Sequence, residues 1–227
     1  EISSNLNKII KLKKIKKLSL GSKNSSLKII NHQYLKDEQR ITFEFKSKKY
    51  FFSTKLVGRV QIKNLLMAIM AAVKSKIPMK KIIKITNKIK PVKGRLEPVG
   101  RLHNNGIVIL DYAHTPDALL NCIKNIKDQF SLRKINLVFG CGGDRDKPKR
   151  KTMGKIADKY CNKIYLTDDN PRTEDPSKIR LEIKSNISKN KLLEIPSREK
   201  AIKSAILNIK SNEILIIAGK GHEEYQE

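Results

Sequence analysis

After residue 100, short runs of continuous apolar residues recur at 107–111, 135–139, 164–167 and 214–218, each ending in a polar or glycine-rich turn. Longer amphipathic stretches separate them, and the spacing predicts helices over 116–130, 149–160, 176–187 and 198–209. A strand that is apolar at every position is covered on both faces. Such strands alternating with helices make βαβ units, so this part of the chain is predicted to be α/β with a mostly parallel sheet.

The pattern before residue 91 is different. Ile9, Ile10, Leu12 and Ile15, set among lysines, predict a short amphipathic helix within 1–17. Residues 41–45 alternate apolar and polar, 50–54 are rich in aromatics, and the polar stretch 46–49 between them predicts a hairpin. Two helices are predicted over 64–73 and 79–89, the second with Ile82, Ile83 and Ile89 on one face. Pro91-Val-Lys-Gly-Arg95 and Pro98-Val-Gly100 interrupt the helical pattern and place a domain boundary near 91–100.

Composition qualifies this picture. The 227 residues hold 49 Lys and Arg against 22 Asp and Glu, a formal charge of +27, which ordinarily points to nucleic acid or an anionic membrane. Only 10 of the 49 are Arg, however, and the lysines are scattered beside abundant Ile and Asn, as AT-rich codon usage would leave them. The 6 Phe and 6 Tyr, with no Trp, supply no basic patch interleaved with aromatics, so no specific nucleic-acid partner is expected. The longest apolar run, 65–73, is far short of the ~20 residues a membrane span needs. No secretory signal pattern opens the sequence, and three cysteines without CxxC spacing suit a reducing compartment. A cytoplasmic protein with no membrane partner is expected.

The candidate chemistry sits where the predicted strands end. Four clusters occur there: Asp111-Tyr-Ala-His-Thr-Pro-Asp117, Gly140-Cys-Gly-Gly-Asp-Arg-Asp146, Thr167-Asp-Asp-Asn-Pro-Arg172 and Ala218-Gly-Lys-Gly-His-Glu223. Any one of them has the residues of an ordinary turn. Four, each bearing charge at the carboxyl end of a predicted parallel strand, describe one ligand site. Arg145 and Arg172 offer planar forks for carboxylates, while Asp144, Asp169 and Glu223 suit an ammonium group, so the ligand should carry both. Gly140, Gly142 and Gly143 would also suit a phosphate, but neither GxxxxGK[ST] nor GxGxxG is present.

These clusters, together with Gly94-Arg95, resemble the motifs of the Mur ligases, and in particular of those that add the third amino acid to UDP-N-acetylmuramoyl-L-alanyl-D-glutamate in peptidoglycan synthesis. The resemblance runs from about Gly58 to the end. It implies a fold with a UDP-binding domain, a central ATP-binding domain and a Rossmann-like C-terminal domain that brings in the amino acid. On that scheme 1–93 would be the end of the central domain, 94–100 a hinge and 101–227 the C-terminal domain, cut short at its end. The resemblance also implies ATP and Mg2+, a monomer, and an acyl phosphate made on the D-glutamyl γ-carboxylate and attacked by the incoming amine.

Residue by residue, it implies nucleotide contacts at Asn64, Arg95, Asp111 and His114, with Gln61 standing where the family has a further Asn. It implies contacts to meso-diaminopimelate at Arg145, Asp169, Asn170, Pro171, Arg172, Gly219 and Glu223, because Asp-Asn-Pro-Arg marks members that select this amino acid and lysine-adding relatives lack the arginine. These residues contain no Walker-type loop and no counterpart of the family's carbamylated lysine, so no catalytic residue or metal ligand is assigned and the chain alone is expected to be inactive. The rival expectations are a lysine-adding or folylpolyglutamate-type ligase and a non-catalytic amino-acid-binding domain.

Overall fold

The computed structural model describes residues 4–14, 17–21, 25–35 and 38–220. They divide into two compact units, one of Glu1–Lys55 with Val60–Lys90 and one of Leu56–Arg59 with Pro91–Glu227. Ile15 and Glu223 lie outside the described residues.

In the first unit, helix α1 (Ser4–Leu12) is shorter than the amphipathic stretch predicts, and Lys14 has already turned to φ +48. Strands β1 (Leu20–Gly21), β2 (Leu27–Tyr34), β3 (Gln39–Phe45) and β4 (Lys48–Thr54) pair in that order, antiparallel except for β1 with β2. The predicted hairpin is β3–β4. Its turn is tighter than expected, because Lys46 and Ser47 alone make it with φ of +49 and +57, the geometry whose twist matches the flanking strands. Ile41, Phe43 and Phe45 on alternate positions are buried. Helix α2 (Arg59–Lys74) starts earlier than predicted and buries Ile62, Leu65, Leu66, Ile69 and Met70. Helix α3 (Met79–Ile85) stops sooner, passing into a 3-10 turn at Thr86–Lys88 where Thr86 Oγ1 donates to Ile83 O at 2.8 Å, so Ile89 is not on its face.

The second unit is the predicted α/β layer structure. Strands β5 (Glu97–Arg101), β6 (Ile107–Asp111), β7 (Lys134–Phe139), β8 (Lys163–Leu166), β9 (Leu192–Glu194) and β10 (Glu213–Ala218) form one sheet. Their order is β5-β6-β10-β7-β8-β9, parallel throughout except for β5 against β6. Part of the stretch expected as a hinge is thus an edge strand. Pro98 is tolerated there because an edge needs fewer donors, and the register shifts between Pro98 and Gly100.

The helices are α4 (Pro116–Gln129), α5 (Pro148–Tyr160), α6 (Pro176–Lys184) and α7 (Arg198–Asn208). Each starts where its sequence prescribes: Pro116, Pro148 and Pro176 occupy the first turns, and the side chains of Thr115, Asp175 and Ser197 accept from Ala118, Ser177 and Lys200 amides. The continuous apolar strands have two cores to fill. Ile107 and Ile109 of β6 pack with Leu119 and Ile123 of α4, Met153 and Ala157 of α5 and Ile183 of α6, whereas Val108 and Leu110 pack with Ala201 and Ala205 of α7. Cys122, Cys141 and Cys161 are free and buried, and burial pushes the Cys141 and Cys161 thiols up to about 12. Among the described residues no helix is long and apolar enough to cross a membrane.

Candidate functional site

Strand order and register bring the four clusters together. Ala218 lies opposite Asp111, Ile217 opposite Val138 and Phe139 opposite Leu166, so β6, β10, β7 and β8 end level and side by side. Their carboxyl ends open into a cavity of about 610 Å³. Arg145, Asp169, Asn170, Arg172 and Gly219, five of the seven residues expected to hold diaminopimelate, line it. So do Tyr112 and His114 from the end of β6, and Asp146 and Lys149, which the sequence reading did not single out.

The two arginine-bearing loops touch. Gly143 N donates to Asn170 O at 2.8 Å, and Arg172 Nη1 donates to Gly143 O at 2.9 Å and Asn170 O at 3.4 Å. A Cβ placed on Gly143 would lie 1.9 Å from the carbonyl oxygen of Pro171, so the two loops meet backbone to backbone there, and Pro171 is not among the residues that line the cavity. Asp144 and Arg172 adopt φ of +50 and +52, a strained conformation for side-chain-bearing residues and one that clusters at ligand sites. Asp144 does not offer itself to an ammonium as expected. Its carboxylate accepts from Thr173 N at 3.0 Å and Thr173 Oγ1 at 2.8 Å, and these bonds hold it below the usual carboxylate range.

Beneath the loops lies Arg150 of α5, whose side chain is fully buried. Its Nη2 and Nη1 donate to Glu174 Oε1 and Oε2 at 2.8 and 3.0 Å, and Nη1 also reaches Glu182 at 3.2 Å. Glu174 in turn accepts from Asp144 N at 2.7 Å. The Arg150 fork holds the Glu174 carboxyl down at about 2, against 4.5 for a free glutamate. A depressed carboxyl stabilises the fold fully above its unfolded value and loses that effect as pH falls through the folded one. The gap in urea midpoint between wild type and Glu174→Gln is therefore expected to be full above about pH 4.5 and to shrink as pH falls towards about 2; a gap that does not vary over that range would contradict the pairing.

Lys220 and Arg198 form a second buried support. Lys220 Nζ donates to Asn170 Oδ1 at 2.6 Å, and Arg198 donates to the carbonyls of Ala218 and Lys220 at 2.9 and 2.5 Å. Gly219, at φ +87, gives the turn between them, and its amide donates to Asp111 O at 3.0 Å. Lys220 was visible inside the Gly219-Lys-Gly motif, but Arg198 had no pattern to mark it.

Among the residues expected at the nucleotide, Arg95, Asp111 and His114 share one corner. Asp111 accepts from Leu96 N at 2.8 Å and Ala113 N at 3.0 Å, and burial raises its carboxyl despite these bonds. The Arg95 guanidinium lies 4.5 Å from the centre of the Tyr112 ring. His114 Nδ1 donates to Tyr112 O at 2.9 Å. Asn64 is exposed on α2 in the first unit, with Gln61 one turn before it.

Four parallel strands whose carboxyl ends open side by side into one cavity define a Rossmann-like α/β domain. The sequence profile of the Mur ligase, glutamate ligase domain family matches residues 94–221. The chain belongs to this family. It is 45% identical over 216 residues to the UDP-N-acetylmuramoyl-L-alanyl-D-glutamate–2,6-diaminopimelate ligase of Rickettsia bellii, covering 94% of this chain and 44% of that protein. A solved structure of a ligase of the same name superposes with a TM-score of 0.70 at 31% identity, over 99% of this chain and 47% of that one. A folylpolyglutamate synthase of Mycobacterium tuberculosis superposes with a TM-score of 0.73 at 16% identity, over 95% of this chain and 50% of that one, a likeness of fold. The chain spans a little under half the length of the diaminopimelate ligases it matches.

Proposed function

We propose that this chain is part of an ATP-dependent amide ligase that adds meso-diaminopimelate to UDP-N-acetylmuramoyl-L-alanyl-D-glutamate, and that its second unit docks the incoming amino acid. The observation that carries this reading is the placement of Arg145, Asp169 and Arg172 in the lining of one cavity, on two loops locked to one another. Diaminopimelate is a zwitterion at both ends. Arg172 and Arg145 bind carboxylate, Asp169 holds ammonium, and the walls of the cavity orient the attacking amine. The attack forms a C–N bond to the D-glutamyl γ-carbonyl and expels phosphate from an acyl phosphate made with ATP. Arg95, Asp111 and His114 are the residues of the second unit that meet the nucleotide.

Among the described residues no group of three or more His, Cys, Asp or Glu gathers that would hold a metal ion. A lysine-adding ligase has no use for the Arg172 fork, which favours the diaminopimelate reading. A non-catalytic binding domain would share the cavity and differ in outcome. The test is complementation: a gene encoding a ligase that contains this chain should restore growth to bacteria depleted of their diaminopimelate-adding ligase, with the UDP-linked tripeptide reappearing. Growth without tripeptide, or neither, would sink the assignment. With no Walker-type loop in its sequence, the 227-residue chain alone is expected to turn over no ATP, and phosphate release by the pure chain would contradict that.

A further inference from the structure

Two loops must be held at a fixed separation for Arg145 and Arg172 to grip one ligand, and neither loop is a regular element. What holds them is a relay of charged groups. The fully buried Arg150 guanidinium takes Glu174 with both Nη atoms, at 2.8 and 3.0 Å. Glu174 follows Arg172 by two residues, and its Oε1 also accepts the Asp144 amide at 2.7 Å. The Asp144 carboxylate reaches back to Thr173 N and Oγ1, at 3.0 and 2.8 Å. Arg150 Nη2 lies 3.4 Å from Gly142 O, on the same loop as Arg145. The relay therefore crosses between the loops twice, and neither Arg150 nor Glu174 lines the cavity itself.

We infer that the Arg150–Glu174 pair is a positioning device for amino-acid selection, setting the spacing of the Arg145 and Arg172 forks and hence the preference for a ligand with a second carboxylate. The inference rests on the diaminopimelate reading for its ligand, but not for its geometry. Burying the Arg150 side chain costs desolvation, which its bonds to the part-exposed Glu174 offset, and those bonds tie one loop to the other. A ligand with one carboxylate needs only one fork in register, whereas one with two needs both.

The test uses the whole 227-residue chain, wild type, Glu174→Gln and Arg150→Lys, with two readouts. In calorimetric titrations Glu174→Gln is expected to raise the dissociation constant for meso-diaminopimelate at least about tenfold while changing that for L-lysine less than about threefold, since misplacing a positioned group is costly only to the ligand that uses it. Arg150→Lys should not preserve wild-type selectivity, because an ammonium cannot bridge Glu174 in two places. In amide hydrogen exchange, Glu174→Gln should speed exchange at Gly143, Asp144 and Thr173 and leave β7 and β8 protected. Equal losses for both amino acids, or exchange at those three amides unchanged, would overturn the inference. A wild-type chain that bound neither amino acid would sink the diaminopimelate reading instead, and the exchange result would still decide for or against the clamp.

Discussion

Arg172→Ala is expected to weaken binding of meso-diaminopimelate by at least about 30-fold and to weaken L-lysine much less. The two ligands differ by a single carboxylate on the distal carbon. Arg172 is positioned to read it, because Pro171 fixes the backbone before it, its own φ is +52, and Nη1 is anchored on Gly143 O at 2.9 Å. An anchored fork presents a plane, and a plane can meet a carboxylate with two hydrogen bonds. Removing one partner of a hydrogen-bonded charge pair costs about 2–5 kcal/mol when it is desolvated. Arg172 is exposed before the ligand arrives, so the lower end, about 30-fold, is the relevant figure. Arg172→Lys should not restore the loss, since a point charge on a flexible stem has no plane to present. Titration of both variants with both amino acids reads this directly; equal losses would mean that Arg172 shapes the loop and reads nothing.

Gly143→Ala should be the most damaging single methyl in the site. The new Cβ would sit 1.9 Å from Pro171 O and 2.8 Å from Pro171 C, and both are backbone atoms that cannot swing aside. The loops must part, breaking the Gly143–Asn170 hydrogen bond and displacing Arg172 from its anchor. Overpacking of this kind costs roughly 1–3 kcal/mol of stability, and a displacement of about 1 Å is enough to lower affinity for the two-carboxylate ligand on the order of 100-fold. Gly100 supplies the control: a Cβ there meets nothing within 4 Å, so Gly100→Ala should stay within about 0.5 kcal/mol of wild type and bind normally. Thermal unfolding together with titration separates the two effects. A Gly143→Ala chain that bound meso-diaminopimelate as wild type does would show that the loops need no contact.

What could be read from the sequence follows from which positions are covered on both sides. The strands β6, β7, β8 and β10 are apolar throughout because α4, α5 and α6 press on one face and α7 on the other, and each was predicted within a residue or two. The edge strands β5 and β9 escaped notice. One is mostly exposed and contains Pro98, and the other is three residues long, so neither bears the mark of a covered strand. In the first unit β2 was missed for the same reason, since only Leu27 among its residues is buried. The cavity residues were legible because ligand-facing charges gather at strand ends. Their supports were not: Arg150 and Glu174 lie 24 residues apart, Lys220 and Asn170 are separated by 50, and nothing local in the sequence ties a buried charge to so distant a partner.

We propose that the cavity at the ends of β6, β10, β7 and β8 receives an amino acid with a second carboxylate. A crystal structure of the chain grown with meso-diaminopimelate tests it most directly. The expected result is one ligand in that cavity, with its distal carboxylate on the fork of Arg172 and an ammonium against Asp169. A ligand bound elsewhere, or one in the cavity whose distal carboxylate points into solvent away from both arginines, would contradict it.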